Sequence, residues 1–163
     1  MWDPAFEFAE IRRADAPGYE RRFILRDEYG GRGSKELPGL MAALDTGEGC
    51  SGMVFRIDAA EVETVTEALW RREMISPGYI PKMIPVEIDG AQIEALTFLA
   101  DHATWQIETD ISRAEQVHRI AHASGILGSS RDYLENVVKQ LRKLGISNAN
   151  MDALLAEVVA AST

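Results

Sequence analysis

The sequence has a single cysteine, Cys50, so no disulfide can form within the chain. That excludes a disulfide-stapled scaffold and fits a reducing compartment. Basic residues are also scarce: 17 Lys and Arg face 26 Asp and Glu, for a net charge of −9 and a pI near 4.8. A nucleic-acid partner is therefore not expected, because phosphate recognition needs clustered Lys and Arg. Docking on an anionic membrane is disfavoured for the same reason. No apolar run approaches the ~20 residues of a spanning helix. The start, Met1-Trp2-Asp3-Pro4, has neither the basic region nor the apolar region of a signal peptide. Together these features predict a cytoplasmic protein without a membrane partner.

Motifs for several chemistries are missing too. The three histidines are His102, His118 and His122. His118 and His122 are four apart, a spacing that can hold a metal on a helix. No acidic or cysteine partner stands at motif spacing and no Glu follows His118, so no metal site is expected. Cys50 lies in a strand-like run with no His at a typical spacing, so it is not read as a nucleophile. Residues 30–39 are glycine-rich but lack the Gly-x-Gly-x-x-Gly order and a Lys-Ser/Thr pair, which excludes a phosphate cradle. That stretch reads either as a flap near a pocket or as a plain surface loop.

What is present is an ordinary globular composition over 163 residues, 46% hydrophobic and 26% charged. This length buries roughly two thirds of the unfolded surface without staples. No repeat or linker interrupts it. The first half reads as strands and the last third as helices, an α+β pattern. Residues 6–11 alternate like a half-buried strand, and 21–26 form a second candidate. Segments 40–44 and 50–57 flank a Gly-rich stretch, which predicts a hairpin with a longer loop. Ile84, Val86 and Ile88 alternate up to Asp89-Gly90, and residues 93–99 follow, a strong hairpin signal. A helix is expected over 59–74, opened by a capping box of Asp58 and Glu61 and stopped by Ser76-Pro77-Gly78. Ser112 with Glu115 starts another capped helix. Residues 131–144 and 151–160 carry the apolar stripes Leu134, Val137, Val138, Leu141 and Met151, Leu154, Leu155, Val158. Such a sheet suits a small curled sheet or barrel with helices on one side. Trp70 and Trp105 read as core or rim aromatics.

One residue is out of place. The helix over 59–74 has an apolar stripe of Val62, Val65, Leu69 and Trp70, and the same spacing leads next to Glu73. Glu61, Glu63 and Glu67 occupy other faces. Glu73 thus directs a carboxylate along the side that meets the sheet. Desolvation there is expected to raise its pKa, as a general acid/base requires. The alternative is an ion pair with Arg71 or Arg72 at a helix end.

The order and spacing of several segments are similar to those of the ChaC-type γ-glutamylcyclotransferases. Leu69-Trp70-Arg71-Arg72-Glu73-Met74, followed by Tyr79 and Pro81, carries the resemblance most strongly. Gly18-Tyr19-Glu20-Arg21-Arg22-Phe23 matches an early strand, and Arg32-Gly33-Ser34 with Pro38-Gly39 resembles an Arg-Gly-Thr/Ser loop. Gly49 to Arg56, Ala95 to Asp101 and Arg131-Asp132-Tyr133-Leu134 match later segments. The resemblance covers nearly the whole chain. It implies a single γ-glutamylcyclotransferase-like domain over 1–163, built as a small β-barrel with flanking helices and a helical C-terminal third. It also implies a lyase without cofactor that converts glutathione to 5-oxoproline and cysteinyl-glycine. In that reaction the substrate's own α-amine attacks its γ-carbonyl, and one carboxylate carries the proton. The family's catalytic Glu falls on Glu73, and its substrate-side tyrosine on Tyr79. Met1 and Trp2 match only the end of a Tyr-Gly-Ser-Leu-Met-Trp substrate-binding turn, which holds the γ-glutamyl group by backbone N–H groups. The rest of that turn and the strand before it are absent. Three readings are open: a start assigned too late, a trimmed chain, or a natural protein lacking half its pocket. The lack of a compensating segment favours the first two. A chain complete as given is expected to be catalytically impaired, binding a γ-glutamyl ligand or a protein partner instead. The oligomeric state and the choice among γ-glutamyl substrates are left open.

Overall fold

The computed structural model describes residues 4–75 and 77–162. The chain divides into two compact units, one of Met1–Arg21 with Leu44–Asp101, the other of Arg22–Ala43 with His102–Thr163. Strands β2 (Tyr19–Asp27) and β3 (Gly39–Thr46) run from one unit into the other.

The first unit is built on β1 (Glu10–Ala16), β4 (Cys50–Arg56), β5 (Tyr79–Ile88) and β6 (Ala91–Ala100), with helix α1 (Val62–Glu73). The expected β5–β6 hairpin is present and pairs from Tyr79↔Ala100 to Ile88↔Ala91. Its turn follows from its residues: Asp89 and Gly90 both adopt positive φ, 50° and 81°, as a two-residue hairpin turn demands. Alternation then turns Ile84, Val86 and Ile88 to a core shared with Ala14 and Leu99.

Two strand expectations fail. Regular pairing of the first strand begins at Glu10 rather than Phe6. Phe6 and Phe8 instead set their rings edge-on against Phe55, at 5.6 and 5.1 Å between centroids. The 40–44 and 50–57 segments do form strands, but not a hairpin. β4 pairs antiparallel with β1, from Glu10↔Arg56 to Ala16↔Cys50, while β3 runs parallel to β6 at Leu44↔Leu99. Loop glycines allow many routes, so their presence does not specify a partner.

The sheet has the order β2-β3-β6-β5-β1-β4 and is open, not the closed barrel expected. Its end strands are protected otherwise. Residues 106–108 bond along β2, with Arg26 N donating to the Gln106 carbonyl at 2.8 Å and Glu108 N to that of Ile24 at 2.9 Å. On β4, the Arg21 side chain donates to the Ser51 carbonyl at 2.5 Å.

The second unit is mainly helical: α2 (Arg113–His122), α3 (Ser130–Lys143) and α4 (Ala149–Ala161). Each begins at a side-chain cap, from Ser112, Ser129 and Asn148 respectively. The predicted stripes supply its core: Leu134, Val138, Met151, Leu154 and Val158 pack with Phe23, Leu40 and Ile120. A two-residue hairpin, β7 (Ser124–Gly125) with β8 (Gly128–Ser129), precedes α3.

Candidate active site in the first unit

Helix α1 starts at Val62, three residues later than expected, because the Asp58–Glu61 capping box does not form. Asp58 accepts from Glu61 N through its backbone carbonyl at 2.9 Å, and Glu61 caps without a side-chain bond. The helix is lightly packed. Val65 is its buried residue, Leu69 is half-buried, and Val62 and Trp70 are 44% and 50% exposed. The inward line is therefore Val65, Leu69, Glu73, spaced by four. Trp70 is a rim aromatic, as is Trp105, at 54% exposure.

Glu73 closes α1 with a side chain only 17% exposed. It is not an isolated carboxylate: Arg72 Nε donates to its Oε1 at 2.9 Å. The same guanidinium donates through Nη1 to the Pro4 carbonyl, also at 2.9 Å. Arg71 turns away and pairs with Glu67 one helical turn back, at 2.6 Å in solvent. Shielding and an ion pair thus occur together, whereas the helix phase had offered them as alternatives.

Tyr79 opens β5 and is half-buried. It follows Gly78, whose carbonyl accepts from Asp101 N at 2.9 Å and whose φ of 149° suits glycine. Met1 and Trp2, the other predicted substrate contacts, lie outside the described residues, as does Ser76 in the expected helix stop. Between α1 and the β5–β6 ribbon runs a groove of about 390 Å³, lined by Glu63, Thr66, Glu67, Trp70, Pro81, Leu96 and Phe98. Neither Glu73 nor Tyr79 lines it.

Cys50 is a half-buried strand residue, and burial pushes its thiol pKa up, which opposes nucleophilic use. His118 and His122 face each other on α2 with ring centroids 4.9 Å apart. Among the described residues no group of three or more His, Cys, Asp or Glu side chains is placed to hold a metal. No described helix is long and apolar enough to cross a membrane.

In the second unit, the glycine-rich loop is knitted by hydrogen bonds. Asp27 accepts from the backbone N–H of Tyr29 at 3.1 Å and of Arg32 at 2.5 Å. Ser34 N donates to the Leu37 carbonyl at 3.0 Å. The loop's end is held by Arg119, a buried cation that the sequence reading missed. Arg119 Nε donates to the Pro38 carbonyl at 2.8 Å and Nη2 to that of Gly39 at 3.2 Å. Its Nη1 meets Glu108 at 2.5 Å, and Arg26 bonds the other Glu108 oxygen at 2.9 Å. Hydrogen bonding to Glu108 raises the Arg26 pKa further above its ordinary value.

This is the fold of the glutathione-directed cyclotransferases. Two crystal structures of a γ-glutamyl cyclotransferase specific to glutathione from yeast superpose with TM-scores of 0.81 and 0.82. They cover 94% and 96% of this chain and 89% and 92% of theirs, at 18% and 17% identity. The family is settled by sequence: the profile of the ChaC-like proteins matches residues 1–161, and the chain belongs to that family. The glutathione-specific γ-glutamylcyclotransferase of Escherichia coli K12 is 35% identical over 159 residues, which are 97% of this chain and 68% of that protein.

Proposed function

We propose that this chain is a γ-glutamylcyclotransferase acting on glutathione, with Glu73 as its general acid/base. The single observation that best supports this role is the shielded position of the Glu73 carboxylate at the end of α1, held by Arg72 beside Pro4. Pro4 directly follows the Met1-Trp2-Asp3 stretch, part of which matches the end of the family's substrate-binding turn.

The chemistry needs little else. The α-amine nitrogen of the γ-glutamyl group attacks the γ-carbonyl carbon, forming the five-membered lactam. The amide C–N bond breaks, and the cysteinyl nitrogen leaves as an amine. Glu73 takes a proton from the attacking nitrogen and returns it to the departing one, so no external nucleophile or redox partner is required. Folding the flexible γ-glutamyl chain into its attack shape removes much of the entropic barrier. Tyr79, Met1 and Trp2 are assigned to holding that shape, with the Tyr79 hydroxyl as a donor to substrate.

Incubation of the purified protein with glutathione is expected to release 5-oxoproline and cysteinyl-glycine in equal amounts. Thermal stabilisation by glutathione without release of 5-oxoproline would instead mark a binding protein.

A further inference from the structure

We propose that Arg72 is a positioning residue for the cyclisation, fixing the Glu73 carboxylate against the segment that precedes β1; this rests on the assignment of Glu73 as acid/base. Neighbouring residues on a helix point about a quarter-turn or more apart and do not normally pair. Arg72 and Glu73 pair nonetheless, at 2.9 Å, at the last residue of α1. The pairing has a third participant, because the same guanidinium bonds the Pro4 carbonyl at 2.9 Å. One planar fork thus ties a helix end to the chain just before β1, a link that a lone ammonium serves less well.

The anchoring on the other side is also built. Ala5 adopts a positive φ of 56°, uncommon outside glycine, which sets the direction of the Pro4 carbonyl. Further on, Phe6 and Phe8 pack on Phe55, and Ala9 N donates to the Arg56 carbonyl at 2.8 Å. The guanidinium therefore bridges from Glu73 to a segment fastened independently to β4. Arg72 is itself 41% exposed, so what sets it apart from Arg71, which pairs with Glu67 inside the same helix, is the second segment it reaches. The arrangement limits where the Glu73 oxygens can go, and a small displacement of a proton-transfer group is costly to rate.

The test is a comparison of Arg72→Met, Arg72→Lys and Glu73→Gln, with glutathione turnover followed by 5-oxoproline release. Arg72→Met keeps the aliphatic stem and removes the fork. It is expected to lower kcat by about 10- to 100-fold while KM stays near the parent value. Arg72→Lys is expected to recover part of that loss, since an ammonium can keep one bond. A kcat unchanged in Arg72→Met, a KM rising in step with the fall in kcat, or no recovery in Arg72→Lys would each overturn the proposal. If Arg72→Met does not fold, Arg72→Gln replaces it under the same criteria. Glu73→Gln separates the two claims. Inactivity there with an unaffected Arg72→Met overturns only the role of Arg72, whereas full turnover in Glu73→Gln removes the acid/base reading and this proposal together.

Discussion

Replacing Arg119 by Met tests how the second unit holds its glycine-rich loop. The Arg119 side chain is only 5% exposed, and it satisfies the carbonyls of Pro38 and Gly39 and one oxygen of Glu108. Methionine fills most of the volume but donates nothing. Each charge-assisted hydrogen bond is worth about 1.5–3 kcal/mol, and breaking a buried ion pair costs about 3–5 kcal/mol. These overlap and cannot be added. Glu108 also keeps Arg26 and is partly exposed, so the low end applies, about 3 kcal/mol. For a chain of this length that lowers Tm by roughly 6–12 °C. Urea denaturation of both proteins, followed by far-UV circular dichroism, measures the difference. Arg119→Lys should fall between them. A loss below about 1 kcal/mol would refute the reasoning, because it would place the network among surface pairs rather than buried ones.

Two further perturbations report on the same unit. Gly33→Ala should destabilise strongly, by about 1–3 kcal/mol or more as overpacking does, because an added Cβ would stand 1.9 Å from the Gly39 nitrogen and 2.5 Å from the Asp27 carbonyl oxygen; thermal melting checks it. Asp132 is held below the ordinary carboxylate range by its hydrogen bonds with Ser129 in the α3 capping box. A depressed folded-state pKa gives stability that is present above the unfolded value and is lost as pH falls through the folded one. The stability difference between the parent and Asp132→Asn should therefore be fullest at neutral pH and fade as acid passes below the usual aspartate range. A difference that does not change across that range would contradict this.

The helical unit was the more legible part of the chain, and the reason is local. The Ser112 cap and the apolar stripes at 131–144 and 151–160 interact within a few positions, and the Asp89-Gly90 turn needs only its own two residues, whereas the caps at Ser129 and Asn148 went unread. Strand partnership is a long-range property. Nothing within 40–57 says that β4 will choose β1 and that β3 will lie parallel to β6. The Asp58–Glu61 pair shows a local signal failing: the motif was there, but Asp58 bonded through its carbonyl and the helix began at Val62. At the site, helix phase expected Glu73 to continue a stripe of Val62, Val65, Leu69 and Trp70, but Val62 and Trp70 are exposed, and Glu73 shares its shielding with Val65 and Leu69 only. It could not choose between shielding and ion pairing, which the structure combines through Arg72. Arg119 was invisible because its partners, Pro38 and Gly39, lie 81 and 80 positions away. An arginine beside Ile120 on a helix facing the core was the signal that could have raised it.

The central claim is that the Glu73 carboxylate moves the proton in cyclisation. Its most direct test is the single-turnover rate of 5-oxoproline formation from glutathione in Glu73→Gln against the parent. Glutamine keeps the shape and a hydrogen-bond acceptor for Arg72 but cannot take or return a proton. The account predicts a fall of about 10²–10⁴-fold with an unchanged melting temperature. A Glu73→Gln protein that forms 5-oxoproline at the parent rate would contradict it.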